Sequence, residues 1–514
     1  MDPTTSQQVP GTEPSSDGAN PDEKLDMLLA RINTMANGSD SLAEPGSAAP
    51  VPAPSREEVD AFIQDQTPRA RNEQLSRPSE PEPKPSGADA CASGEDVFVP
   101  RCPRSFEEAK LSESKVEELV LKYLLARGDA SGRKISEQIK LPFILIEKFL
   151  NKLKLEQVIA YIGQATMNDY ICRLTDIGTV RARGYSNICT YYGAAPVCLQ
   201  DYCRSVKSQS IDGHYPSRDE LSAAFSDLLI DEAMLQKLGP AVSSGRGMFL
   251  YGFPGNGKTS IAERVTKSFG PYIWIPRAMQ IEGEIVRLFD PMCHEPAPME
   301  ESDDLMGTND IDERWVRIKR PTIVVGGELT MDHLEITYNS DSGISEAPIQ
   351  LKSNCGILVI DDFGRQKMRV DELLNRWIVP LEKRYDYLNL TSGKKIQVPF
   401  DQLVIFSTNL EPRDLVDDAF MRRIPYKIEV EDPSLENFIK LFEIMSKVVG
   451  IPYDPAAVEY LIKTHYEPTN RPLRNCQPRD LLLQIRNYCN YNKLPLVMSK
   501  ESFDFAADCY FSVM

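Results

Sequence analysis

The residues from Gly252 to Thr259 read G-F-P-G-N-G-K-T, between the apolar run Met248-Phe249-Leu250-Tyr251 and the helical run SIAERVTKSF. A G-x-x-x-x-G-K-T loop placed after a strand and before a helix is built to hold phosphate. Gly252, Gly255 and Gly257, with Phe253, Pro254 and Asn256 between them, let backbone N–H groups close around the anion, and the following helix directs its positive end at it. Lys258 can reach the β and γ oxygens, Thr259 offers a hydroxyl to Mg2+, and Ser260 follows in the first helical turn. The ligands expected here are ATP and Mg2+.

About a hundred residues on, Gly356-Ile357-Leu358-Val359-Ile360 reads as a buried strand ending in Asp361-Asp362. A carboxylate at a strand end, Asp361, can hold the metal, and the next, Asp362, can polarise the attacking water. A third apolar run, Leu403 to Phe406, ends in Ser407-Thr408-Asn409, whose amide could orient that water or sense the γ-phosphate.

The order of these three elements resembles the AAA+ ATPase superfamily over residues 205 to 512. The resemblance implies that Asn409 is sensor 1, and that Arg422 and Arg423 in DDAFMRRIPYKIEV form the arginine-finger segment that meets a neighbouring subunit's γ-phosphate. It also implies that Arg479 in Pro478-Arg479-Asp480 is sensor 2, reaching the nucleotide from a lid helix. The hairpin Tyr387 to Leu390 and Ile396 to Val398 just before the Asn409 strand, and the stretch from Val324 to Cys355, resemble the branch with a pre-sensor-1 hairpin and a helix-2 insertion. That branch includes MoxR-like chaperones, magnesium-chelatase motor subunits and enhancer-binding activators; the activators' GAFTGA loop is absent here. The family's usual Glu after the metal-holding Asp is replaced by Asp362, as in helicase-loader and transposition-helper ATPases.

The elements that must carry these residues are predicted to be an α/β domain over 205–432, with strands and helices alternating as far as about residue 430, and a wholly helical lid over 433–514. Before them, residues 108–190 show three helices and a hairpin: Val116 to Leu124, Ile135 to Ile139, a helix opened by Pro142, then VIAYIG and YICRLT. This order resembles a winged-helix module. Residues 111 to 186 hold 12 Lys/Arg and 9 Asp/Glu, a weak charge for a DNA reader, so a protein contact is favoured and DNA stays open as a partner.

Residues 1 to about 107 hold 15 of the 38 prolines, and the first 110 residues hold 20 Asp/Glu against 10 Lys/Arg, a composition too polar to offset ordering entropy; a disordered acidic tail is expected over 1–107. One short apolar stripe, Leu25, Leu28, Leu29 and Ile32, breaks it. The net charge of −18 argues against a protein that coats nucleic acid or anionic membrane. No run approaches the ~20 apolar residues of a membrane span. The eleven cysteines form no C-x-x-C pair and the four histidines stand far apart, which favours reduced thiols in the cytoplasm over a zinc or disulfide framework. The chain is thus expected to be a cytoplasmic ATPase, assembled as a homo-oligomeric ring, that moves its insertions, residues 328 to 346 and 387 to 398, against a protein client. The alternative is an ATP-dependent nucleic-acid-acting factor.

Overall fold

Three apolar runs place the site by becoming neighbouring strands. In the computed structural model, which describes residues 98–298 and 311–512, Gly356–Ile360 pairs in parallel with Gln402–Thr408, and that strand pairs in parallel with Met248–Tyr251. Thr322–Val325 and Tyr426–Glu429 complete a five-stranded parallel sheet at its two edges. Ile360 lies opposite Phe406 and Thr408 opposite Tyr251, so the three strands end within two residues of one another. Their C-terminal ends therefore deliver the phosphate loop, Asp361 and Asn409 to one crevice, where ligands of open α/β sheets bind.

The period-two alternation of a strand explains how the sheet is covered on both faces. Met248 and Leu250 point into a core with Ile261, Val265 and Leu238, whereas Phe249 points the other way, against Phe363 and Phe406. On that second face the helix Val370–Lys383 buries Trp377 completely against Phe400 and Phe406. Such aromatic contacts are worth about 0.5–1.5 kcal/mol each beyond the area they bury.

The lid follows the last strand and consists, among the described residues, of the α-helices Leu435–Val449, Pro455–Leu461, Gln477–Asn492 and Lys500–Phe511 around Phe438, Phe442, Leu481, Ile485 and Phe503. The mixed α/β class with a parallel sheet and helical lid is as expected.

The simple strand–helix alternation is not. Between the helix Lys258–Val265 and Gly356 the chain is mostly strands: Tyr272–Pro276 pairs with Trp315–Lys319, Ala278–Ile281 with Glu284–Arg287, and Thr337–Asn339 with Ile344–Glu346. The last two pairs join one sheet with the two-residue strand Val197–Cys198. Upstream, the helices Glu113–Arg127, Gly132–Ile139 and Phe143–Leu155 pack with a three-stranded antiparallel sheet, Asp129–Ser131, Asp169–Leu174 and Ile159–Ala165. Ser112, Ser131 and Thr175 cap helices there, each side chain accepting a backbone N–H. The core of this three-helix unit runs on into Ala278 and Ile285 of the strand-rich insertion.

The tail boundary also moves. Residues 98–107, expected in the disordered tail, are packed: Phe98 lies 5.4 Å from Trp315, Phe106 meets Phe149 edge to face, and Pro100 O accepts from Asp312 N. Two aromatic rings supply the buried area that the surrounding composition lacks. The stripe at Leu25 to Ile32 lies outside the described residues. Among the described residues no helix is long and apolar enough to cross a membrane.

The hairpin is present as Tyr385–Asn389 paired with Lys395–Pro399, but its tip is tied down rather than projecting freely. Thr391 Oγ1 donates to Glu284, and Lys394 pairs with Glu282 at 2.7 Å.

Candidate functional site

The loop after Met248–Tyr251 needs glycine for steric reasons. Gly252 has φ +134°, and a Cβ there would stand 2.5 Å from Val430 O; Gly255 has φ +85°, and a Cβ there would meet Cys476 Sγ at 2.5 Å. Lys258 opens the helix and is buried, 7% exposed. Its Nζ donates to Gly252 O at 2.9 Å, Phe253 O at 3.0 Å and Asn409 Oδ1 at 2.7 Å. Burial pushes the Lys258 pKa down, the nearby Asp361 and Asp362 carboxylates oppose that, and Arg474 adds to it. An ammonium so placed can exchange carbonyl partners for the oxygens of a phosphate.

Thr259 Oγ1 donates to Asp361 Oδ2 at 2.8 Å. Asp361 is anchored through its backbone N–H to Val325 O. Asp362, with φ +48°, turns its carboxylate to where Asn409 Nδ2 donates to it at 3.2 Å. Aspartate is among the residues that enter the left-handed region most readily.

Thr259 and Asp361 form a pair of hard oxygen donors, which fits Mg2+. Among the described residues no group of three or more His, Cys, Asp or Glu could hold a metal. A cation here would complete its shell with phosphate oxygens and water, as Mg2+ does.

A cavity of about 560 Å3 connects these groups. Its polar end is Gly255 to Ser260 with Asp361, Asp362 and Asn409; its apolar side is made by Ile230 and Met234 from the α/β part and Leu441 and Met445 from the lid. Volume and division suit a nucleotide, phosphates at one end and base at the other. Arg479 lines the cavity from the lid helix, with its side chain 61% exposed and 3.0 Å from Asp480.

Arg422 and Arg423 are not brought to this cavity. They line a separate depression with Arg246, Leu381 and Glu382, where Arg423 Nε lies 3.6 Å from Glu382. The structure thus joins Pro254 to Ser260, Asp361, Asp362, Asn409 and Arg479 in one crevice, with Gly252 and Phe253 beside it through their carbonyls on Lys258, and leaves the arginine pair on another surface.

Sequence reasoning missed a clasp between lid and phosphate loop. Asn475 Nδ2 donates to Asn256 O at 3.1 Å, and Cys476 N to Gly255 O at 2.9 Å. Asn256 Nδ2 donates to Asp432 at 2.7 Å; Arg474 pairs with the same carboxylate and sits 4.2 Å over the Phe253 ring. The available signal was the polar run Arg474-Asn475-Cys476-Gln477 just before Pro478-Arg479. Its partners, Asp432 at a separation of 42 residues and Asn256 at 219, leave no local mark.

Comparisons with known proteins add little to this geometry. A family model described as a domain of unknown function (DUF8689) matches residues 434–509, the lid. No curated protein matches. Among solved structures, NtrX from Brucella abortus is similar at 16% identity, over 55% of this chain and 57% of that one, with a TM-score of 0.34. The chain therefore spans less than two thirds of NtrX. The Thermotoga maritima RuvB Holliday junction branch migration motor is similar at 13% identity, over 55% and 70% of the two chains, with a TM-score of 0.32. The strand order and the loop geometry, not these likenesses, define the fold.

Proposed function

We propose that this chain binds and hydrolyses ATP as an AAA+ motor, and that it works as an oligomer on a protein client. The observation that carries the reading is the convergence of Lys258, Thr259, Asp361, Asp362 and Asn409 on the C-terminal edge of one parallel sheet. In the cycle, the loop amides and Lys258 bind the phosphates, and the lid closes over the base. Asp362 accepts a proton from the attacking water, which Asn409 orients. Mg2+, when held by Thr259 and Asp361, would neutralise charge on the phosphate oxygens.

The transferred phosphoryl group needs one more cation, and arginine fingers in related NTPases contribute about 10³ to 10⁵ in rate. The position of Arg422 and Arg423 outside the cavity supports their acting on a neighbouring subunit. Arg479 acts in cis from the lid.

The winged-helix-like unit favours a protein partner over DNA. Of the groups that could face a groove, Lys152 is paired with Glu113 at 2.5 Å, Lys154 lies 4.3 Å over the Tyr161 ring, and Asn151 accepts from Tyr161 OH. Leu155, Met167 and Val180 are meanwhile 85%, 79% and 71% exposed.

The test mixes an Arg422→Ala/Arg423→Ala double variant with Lys258→Ala. Each alone should be inactive, the mixture should recover turnover, and wild-type turnover per subunit should rise with protein concentration. Normal hydrolysis by the double arginine variant would overturn the shared-site mechanism.

A further inference from the structure

A second cavity, about 620 Å3, opens where the three-helix unit meets the strand-rich insertion. Its wall carries four cations, Arg127, Lys134, Lys140 and Arg277, and two carboxylates, Asp129 and Glu137. Asp129 is already engaged by Arg173 at 3.1 Å, and Lys140 is loosely paired with Glu313 at 3.3 Å. Arg127 and Lys134 are exposed and form no ion pair among the described residues. Glu137, exposed on the same wall, is the one carboxylate there not held by a cation among the described residues.

Arg277 likewise forms no ion pair among the described residues. It is half-buried; among the described residues its Nε donates to the backbone Glu313 O at 3.3 Å, and its guanidinium lies 5.7 Å over the Phe289 ring, a cation–π contact at the long end of the range. Burial lowers its pKa, which Tyr191 and, less, Glu313 oppose. Taking a guanidinium partly out of water without a bonded carboxylate costs free energy that a bound anion would offset. Two planar guanidinium forks with two ammonium groups match the oxygens of a phosphate better than a single carboxylate. The space exceeds what one phosphate fills, and Tyr123 gives the wall an apolar section.

From this geometry we infer that the junction cleft binds a small ligand bearing two or more phosphates, separately from the phosphate loop. Arg127 and Lys134 come from the three-helix unit and Arg277 from the insertion. The ligand would therefore bridge the three-helix unit and the insertion, adding polar contacts beside the apolar core that the two already share at Ala278 and Ile285.

Inorganic pyrophosphate is the probe, titrated by calorimetry into the full chain with the phosphate loop saturated by Mg-ADP. The wild type should bind it, and the charge reversal Arg127→Glu/Lys134→Glu should weaken binding by at least about tenfold, as expected for losing two charge-assisted contacts. Both positions are exposed, so folding should be retained. The truncation Arg127→Ala, weaker by about threefold or more, gives a milder second reading of the same contact. Lys258→Ala should bind pyrophosphate as the ADP-saturated wild type does. No binding under ADP saturation, binding indifferent to both Arg127 and Lys134 variants, or binding lost in Lys258→Ala would each overturn the site.

Discussion

Lys258 Nζ donates a 2.7 Å hydrogen bond to Asn409 Oδ1, joining the phosphate loop to the end of the neighbouring sheet strand across 151 residues of sequence. The same amide donates to Asp362 at 3.2 Å. One side chain thus touches both the loop lysine and the second carboxylate after the Gly356–Ile360 strand.

Asn409→Ala should therefore keep ATP affinity within about threefold, since Lys258 retains its other partners, and lower turnover by about 10²-fold, the loss typical of a positioned dipole. Steady-state hydrolysis and an equilibrium binding titration on the same sample separate the two effects. Equal losses in binding and turnover would show that Asn409 only holds Lys258.

The clasp makes a kinetic prediction. Asp432 ties Asn256 and Arg474 together, and Asn475 reaches across to Asn256 O. Asn475→Ala removes a lid-to-loop hydrogen bond of about 1 kcal/mol. A fluorescent ATP analogue should dissociate about threefold to tenfold faster from it, with the association rate little changed. An unchanged dissociation rate would mean that the lid is not held by this contact.

What the sequence made legible, and what it did not, follows one physical distinction. The strands at 248–251, 356–360 and 402–408 are apolar runs buried on both faces, and the glycine spacing of the phosphate loop is dictated by backbone approach; both leave local marks. Val197–Cys198 has no strand signature of its own and is ordered by pairing with Met279 and Gln280. Phe98 and Phe106 looked like part of a Pro-rich tail because their partners, Trp315 and Phe149, are distant in sequence. The pockets' outer residues, Asp432 and Asn475 in one and Arg277 in the other, are set by how units pack, and periodicity carries no trace of that.

His294 gives the molecule a pH-dependent element away from the site. It is buried, with Nε2 2.8 Å from Lys352 O and Nδ1 accepting from Asp290 N at 3.1 Å, beside the 2.7 Å Asp290–Lys352 pair. Burial pushes its pKa below the ordinary 6.5, against the smaller opposing effects of the Lys352 carbonyl and Asp290. With the folded value depressed, the unfolded chain takes up the proton first as pH falls. The stabilisation is whole above about pH 6.5 and is lost as the pH falls through the folded value. Urea midpoints between pH 7.5 and about pH 5 should fall more steeply for the wild type than for His294→Gln. Parallel curves would exclude His294 as the cause.

The central claim is that the loop around Lys258 is a nucleotide site, and an equilibrium titration of Mg-ATP tests it most directly. Wild type and Lys258→Ala are compared at matched melting temperature, so that folding is not in question. The wild type should bind, and Lys258→Ala should bind at least about tenfold more weakly, the effect of losing a charged partner to phosphate. A folded Lys258→Ala protein that binds Mg-ATP as tightly as the wild type would contradict the claim.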